Sequence, residues 1–94
     1  MYIDDFIWLP DIVDKLEWKH QVSQADVESV IFGRPLFRKA QKGHVPGEDV
    51  YAALGQTETG RYLIVFFIYK LSRKALILSA RDMDDRERRQ YGNR

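Results

Sequence analysis

An eight-residue run that is apolar at nearly every position, YLIVFFIY at residues 62 to 69, constrains the fold of this chain more than any other segment. A strand with one face in water alternates apolar and polar residues, and this run has no polar face. It is also too short to cross a bilayer as a helix. The run therefore predicts a central strand that is covered on both faces by the rest of the domain.

Shorter strand-like runs flank this segment. We predict strands at about residues 36 to 40, 50 to 56 and 75 to 80, with a turn-rich loop over residues 41 to 48. The polar turns TETG and LSRK lie on either side of the central run. Because turns this short join neighbouring antiparallel strands, the pattern favours an antiparallel meander of three or four strands.

The first third of the chain has helical periodicity instead. Pro10 suits the first turn of a helix that runs over residues 11 to 20. Ser23 followed three residues later by Asp26 resembles a capping box and begins a second helix, which ends at Gly33. The sequence thus predicts a helical hairpin.

The two ends of the chain complete the predicted architecture. A short strand at about residues 3 to 7 precedes the hairpin, and the last helix is predicted over residues 84 to 91, with Asp82 as its candidate N-cap. With 94 residues, of which 45% are hydrophobic, the chain has the size of one domain with one core. This order of elements is that of an α+β domain over residues 1 to 94.

Composition limits the chemistry that the chain can perform. It has no cysteine, which excludes disulfides and thiolate metal ligands and fits a reducing cytoplasm. The two histidines are 24 positions apart, and no phosphate-binding glycine loop or H-E-x-x-H motif occurs. We therefore expect no metal ion or cofactor. Because the N-terminus carries acids and no basic signal segment, we expect a soluble cytoplasmic protein without membrane contact.

Charge is distributed unevenly although the net charge is only +1. Residues 33 to 47 hold four basic side chains and no acid, and residues 61 to 80 hold four more, again without an acid. Arginine presents a planar fork of donors that binds phosphate oxygens, and strand and helix ends hold such groups precisely. We therefore predict an anion-binding face. Its candidates at element ends are Lys19, His20, Arg61 and Arg81.

Each candidate also has a structural interpretation. Lys19 would commonly compensate the dipole at a helix end, and His20 would commonly pack beside Leu16. We expect His44, which lies in a glycine-containing loop, to be exposed. Tyrosines near the basic residues could stack on bases, although aromatic residues in strands are mostly part of the core.

The acids and arginines of the last helix would usually form i,i+4 ion pairs on a solvated face, such as Asp84 with Arg88 and Asp85 with Arg89. Arg81 differs from them because it directly follows the apolar run ALILSA. We expect this arginine to be partly buried and held in place.

Three segments occur in the same order as in a known family: WKHQVS, ALGQTETGRYLIVFF and LILSARDMDDRERRQY. From Trp8 to Tyr91 the chain resembles the BrnT family of bacterial toxins, and the ending SAR…ER…Y is the most specific of these motifs. The chain departs from the family around its first helix. Leu9 stands where Asp is frequent, Leu16 where Asn is common, and Gln21 replaces a Gly. Of the residues that the resemblance singles out, Lys19 and His20 are the ones whose roles these departures affect.

The resemblance implies the toxin of a type II toxin–antitoxin pair, with a RelE-like α+β fold and RNA cleavage that needs no metal and halts translation. It also implies a cognate antitoxin, typically a ribbon-helix-helix DNA-binding protein. The motif positions that it singles out are Lys19, His20, Arg61, Ser79, Arg81, Glu87, Arg88 and Tyr91.

In cleavage without a metal, the ribose 2′-hydroxyl attacks its own phosphate, which requires cationic donors and proton transfer at two oxygens. We expect Arg61 and Arg81 to stabilise the phosphate, His20 or Lys19 to transfer protons, and Tyr91 to stack or act as an acid. The further candidate RNA contacts are Arg34, Arg38, Lys39, Arg88 and Arg89. Two alternatives remain: a non-catalytic module that binds a partner or nucleic acid, and an inactive relative that has kept the fold.

Overall fold

The apolar run at residues 62 to 69 forms the middle strand of a five-stranded sheet in the computed structural model, which describes residues 1–93. The strands are β1 (Asp5–Ile7), β2 (Leu36–Gln41), β3 (Val50–Gln56), β4 (Tyr62–Tyr69) and β5 (Lys74–Asp82). The helices are α1 (Pro10–His20), α2 (Gln24–Phe32) and α3 (Asp85–Gly92). The predicted α+β class is confirmed. None of the described helices is both long and apolar enough to span a membrane.

The strand order across the sheet is β1-β5-β4-β3-β2. Strands β2 to β5 pair antiparallel, as the short turns predicted. The sheet has one strand more than the three or four expected, because β1 joins it parallel to β5, with Asp5 opposite Lys74. A three-residue strand has too little periodicity to predict its partner, and parallel pairing requires a long crossover that local sequence does not reveal. The sheet is therefore mixed.

Strand β4 sends alternate side chains into two separate apolar clusters. Leu63, Val65 and Phe67 pack in the larger cluster, which α1 and α2 cover with residues such as Leu16 and Val27. Ile64 points the other way, into a smaller cluster that includes Tyr91 of α3. Because both faces of β4 are covered, the strand needs no polar side, and the prediction of a central strand is confirmed.

The predicted capping box fixes the start of α2. The Ser23 hydroxyl accepts from the Asp26 backbone N–H at 3.1 Å, and the Asp26 carboxylate accepts from the Ser23 N–H at 3.0 Å. The preceding helix ends where Gln21 adopts a left-handed backbone with φ 52°. The tight hairpin between α1 and α2 therefore follows from local side-chain chemistry.

A second capping box begins α3 and corrects the sequence prediction of its N-cap. The Asp84 carboxylate accepts from the Glu87 N–H at 2.8 Å, and Glu87 accepts from the Asp84 N–H at 3.0 Å. The N-cap is Asp84 and not Asp82, because β5 continues two residues beyond the predicted end and includes Asp82. The spacing of Asp84 and Glu87 is itself the sequence signal for this cap.

Candidate functional site

The end of β5 sends consecutive charged side chains to opposite faces of the sheet. Arg81 lies opposite Ile64, on the face that carries α3, whereas Asp82 lies opposite Leu63, on the face of the larger core. A bulge sets this phase, because Phe66 lies opposite Ser79 while Phe67 lies opposite Ile77, leaving Leu78 as the extra residue. The predicted catalytic residues are therefore divided between two places.

We name these two groups by their arginines. The Arg81 cluster consists of Arg81, Glu87, Arg38 and Gln90, and the Arg61 cluster consists of Arg61, Asp82, His20 and Gln21.

The guanidinium of Arg81 is held by both of its terminal nitrogens. Nη1 donates to Glu87 Oε1 at 2.7 Å, and Nη2 donates to Glu87 Oε2 at 2.9 Å. Nη1 also donates to the Asp82 carbonyl at 3.1 Å, and Cζ lies 5.7 Å from the centroid of the Phe66 ring. The side chain is 38% exposed. Arg81 is thus partly buried and fixed, as predicted, yet it is open to solvent on one side.

Glu87 is the buried member of this pair, with a side chain that is only 9% exposed. The hydrogen bonds from Arg81 lower the pKa of the Glu87 carboxyl below its ordinary value of 4.5, in opposition to desolvation. The Asp84 N–H and the charge of Arg38 lower this pKa further. Glu87 is therefore a carboxylate at neutral pH, which suits a hydrogen-bond acceptor and does not suit a general acid.

Arg38 of β2 contacts α3 near Glu87. Its Nη1 donates to Gln90 Oε1 at 3.0 Å, while its buried Nε has no hydrogen-bond partner within the described chain. An open cleft of about 510 Å³ lies here, lined by Arg38, Asp84, Arg86, Glu87 and Gln90. The cleft is thus lined by two arginines and two carboxylates, and Arg81 lies on the other strand that contacts Glu87.

Arg61 has a structural task. Its Nη1 donates to the Gln21 carbonyl at 2.6 Å and its Nη2 to the His20 carbonyl at 2.7 Å, at the C-terminal end of α1. Its Nε and Nη2 also donate to the Asp82 carboxylate at 2.7 and 3.2 Å. Arg61 therefore caps the C-terminal end of α1 and links this helix to β5. The sequence predicts such a capping role for Lys19.

The first-helix candidates lie beside the edge of β5. Lys19 is exposed, and His20 is half-buried in a small cleft of about 60 Å³ that Ser79 also lines. Ser79 lies two residues before Arg81, a spacing of roughly 7 Å along a strand. His20 therefore reaches the edge of β5 near Ser79, while its backbone carbonyl belongs to the Arg61 cluster. His44 is exposed, as predicted.

Tyr91 is a buried anchor of α3. Its side chain is 8% exposed, its hydroxyl donates to the Arg34 carbonyl at 3.4 Å, and its ring packs edge-on against Tyr62 at 6.1 Å. The ring thus lies in the smaller core and does not face the cleft beside Arg81. The sequence placed this residue correctly at the last turn of the helix but did not indicate that it would be packed.

The remaining basic candidates are dispersed. Lys39 forms an ion pair with Asp49 at 3.0 Å and lies over Tyr51, on the opposite face of the sheet from Arg38. Arg34 precedes β2, and Arg89 is exposed on α3. The side chain of Arg88 covers the Tyr62 ring.

The i,i+4 ion pairs expected in the last helix are not formed within residues 1–93, where the ion pairs involve other residues. Asp84 is the N-cap and directs its carboxylate to the Glu87 N–H. In the same range, no three His, Cys, Asp or Glu side chains come together in an arrangement that could hold a metal ion.

A small mixed sheet with a helical hairpin on one face, a short C-terminal helix on the other and an arginine–glutamate pair between strand and helix defines an α+β domain. A family model described as "Ribonuclease toxin, BrnT, of type II toxin-antitoxin system" matches residues 11–87. The chain belongs to this family of toxins, and a type II toxin implies a cognate antitoxin as partner. No curated protein matches the chain significantly.

We predict that Glu87→Gln lowers the free energy of unfolding at pH 7 by about 1–2 kcal/mol, because a charge-assisted fork becomes a weaker neutral contact. The pKa of Glu87 is lower in the folded state, so its contribution to stability is present above the ordinary value of 4.5 and is lost as pH falls through the lowered pKa. The difference between wild type and variant should therefore shrink toward acid pH. Denaturant unfolding at several pH values measures it.

Glu58→Gln is the matched control, since Glu58 is an exposed residue of the β3–β4 turn. A Glu87→Gln protein that matches this control at pH 7 would show that the ion pair with Arg81 contributes no net stability.

Proposed function

We propose that this toxin cleaves RNA without a metal ion, with the Arg81 cluster as its phosphate-binding site, and that the cleavage inhibits translation. The observation that carries the proposal is the fixed and partly exposed guanidinium of Arg81, which the buried carboxylate of Glu87 holds in place. Glu87 and the Asp82 carbonyl occupy three of the five N–H donors of Arg81, which leaves two for a phosphate oxygen.

In the proposed reaction, the ribose 2′-oxygen attacks the adjacent phosphorus and the bond from phosphorus to the 5′-oxygen breaks. The products are a 2′,3′-cyclic phosphate and a 5′-hydroxyl. One proton leaves the 2′-hydroxyl and one is delivered to the departing 5′-oxygen. Negative charge develops on the non-bridging oxygens, and we propose that Arg81 stabilises it, with Arg38 as a further cation nearby. Because Glu87 already holds Arg81, little reorganisation is needed during the reaction.

We propose His20 for proton transfer, with Lys19 as a neighbouring cation. The support is spatial: His20 shares a cleft with Ser79, and Ser79 lies on the same face of β5 as Arg81. Because α1 covers the other face of the sheet, the proposed site requires the RNA strand to cross the edge of β5 between His20 and Arg81. Arg61 and Tyr91 have an indirect role in this arrangement, because Arg61 fixes the end of α1 and Tyr91 anchors α3.

The antitoxin is proposed to be a ribbon-helix-helix DNA-binding protein that covers the toxin and represses the shared promoter. The support for this partner is the family membership, together with the exposed side of Arg81, which a neutralising partner would cover.

We predict that Arg81→Lys and Arg81→Ala each reduce RNA cleavage and growth arrest by about 100-fold or more, since single donors to a developing oxyanion have effects of 10²–10³. Lysine keeps the positive charge beside Glu87 but has no planar fork, so it tests geometry apart from charge. Induction in bacteria, with growth, protein synthesis and mapped RNA ends as readouts, measures the effect.

Lys74→Ala is the control, because Lys74 is an exposed residue at the opposite end of the same strand. Growth arrest at the wild-type level by a folded Arg81→Lys or Arg81→Ala protein would remove Arg81 from the mechanism. Uncut RNA during expression of soluble wild-type protein would refute the proposed function itself.

A second prediction concerns the chemistry. Purified toxin should cleave an RNA oligonucleotide equally well with and without EDTA, and the products should carry a 2′,3′-cyclic phosphate and a 5′-hydroxyl. A substrate with a single 2′-deoxyribose at the mapped cleavage position should remain intact, because it lacks the nucleophile. Loss of activity in EDTA that Mg²⁺ restores would show that the reaction depends on a metal.

A third prediction concerns the partner. The gene adjacent to that of the toxin should encode a small ribbon-helix-helix protein. Co-expression of this protein should restore growth, and the protein should co-purify with the toxin. As a control, the neighbour should not rescue cells from an unrelated ribonuclease toxin. An adjacent gene product that neither binds nor neutralises the toxin would contradict this assignment.

A further inference from the structure

The closest cation–π contact in the described chain joins α3 to the start of β4. Arg88 Cζ lies 4.0 Å from the centroid of the Tyr62 ring, whereas the three other such contacts are 5.7 to 5.8 Å. Arginine stacks on aromatic faces through its planar, weakly hydrated guanidinium, and 4.0 Å is a van der Waals contact distance. The guanidinium is therefore held against the ring.

Tyr62, whose ring lies beneath the Arg88 guanidinium, is held by contacts with the rest of the domain. Tyr62 is half-buried, and the edge of its ring contacts that of Tyr91, with centroids 6.1 Å apart and an interplanar angle of 76°. The Tyr62 carbonyl accepts from the Met83 N–H at 3.1 Å, at the junction between β5 and α3. Tyr62 thus packs against the core on one side and against Arg88 on the other.

Arg88, which lies on the Tyr62 ring, is exposed to solvent. The ion pairs within residues 1–93 do not include this arginine. Its neighbours Glu87 and Asp84 are already engaged with Arg81 and with the helix cap. One face of the guanidinium covers Tyr62, so the other face, with its charge unneutralised, is presented to solvent.

We propose that Arg88 and Tyr62 form a platform on which one unpaired RNA base stacks, next to the phosphate site. Single strands are commonly held by aromatic or guanidinium planes beside a phosphate-binding groove. Tyr62 lies two residues from Ile64, the partner of Arg81, and such diagonal neighbours are about 7–8 Å apart. A nucleotide bound to Arg81 can therefore place a neighbouring base on Arg88. This inference rests on the proposed RNA-cleaving function.

The platform makes a prediction that a simple charge contact does not. We would measure binding by fluorescence anisotropy with two single-stranded 2′-O-methyl oligonucleotides of equal length, which resist attack by the 2′-oxygen. One carries adenine bases and the other is abasic throughout. Wild-type protein should bind the adenine probe more tightly, since stacking on a protein side chain strengthens binding by roughly tenfold or more per base.

Arg88→Lys keeps the charge and removes the planar surface. This substitution should abolish the preference for adenine. The affinity for the abasic probe and the salt dependence of that affinity should stay unchanged. Arg89→Lys, at the next and also exposed position of α3, should retain the full preference. Tyr62→Phe should retain it and Tyr62→Leu should lose it, with circular dichroism confirming that each variant is folded.

The failures of the two proposals are distinguishable. Equal binding of both probes by wild-type protein, or a full adenine preference in folded Arg88→Lys, would overturn the platform, while cleavage of unmodified RNA would still support the proposed function. Base-dependent binding that Arg88→Lys removes would support the platform even if RNA were not cleaved. Wild-type protein that binds neither probe would overturn both proposals.

Discussion

The fork between Arg81 and Glu87 joins the two parts from which the candidate site is built, the sheet and α3. Glu87 accepts both Arg81 hydrogen bonds and, with the same carboxylate, closes the capping box at the start of the helix. An eight-residue helix is not stable alone, so α3 depends on what it docks against. Its described anchors are the buried side chains of Glu87 and Tyr91. Helix position and site geometry therefore rely on one shared interaction.

The asymmetry of this ion pair also explains how a structural contact can serve as a binding site. Glu87 is almost fully covered, whereas Arg81 keeps more than a third of its side chain in solvent. The buried carboxylate of Glu87 fixes the Arg81 guanidinium on one side. The exposed side of the guanidinium keeps free N–H donors. Arg38 contributes a further positive charge near Glu87. In the proposed function, the geometry of Arg81 is therefore set before a phosphate binds.

Local chemistry made much of the fold predictable. The bounds of β3 and β4 coincide with the predicted ones because their apolar runs end at turn residues, and the cap of α2 follows from Ser23 and Asp26. What the sequence did not reveal is non-local. The parallel pairing of β1 and the bulge at Leu78 depend on tertiary packing. For the same reason Arg61 and Arg81 looked equivalent at strand ends, although the partners of Arg61 lie up to 41 positions away.

The face of the sheet to which each side chain of β5 points decides which arginine is bound within the fold and which keeps donors on its exposed side. Arg81 and Asp82 are adjacent and face opposite sides, so each guanidinium meets its own carboxylate: Arg61 meets Asp82, and Arg81 meets Glu87. A shift of one residue would send every side chain of the strand to the other face. Asp82 would then lie beside Glu87, with like charges close together, and Arg81 would lie beside Arg61. The extra residue at the bulge therefore sets the phase that matches both arginines to acids, and the chemistry of the site depends on it as much as on Arg81 itself.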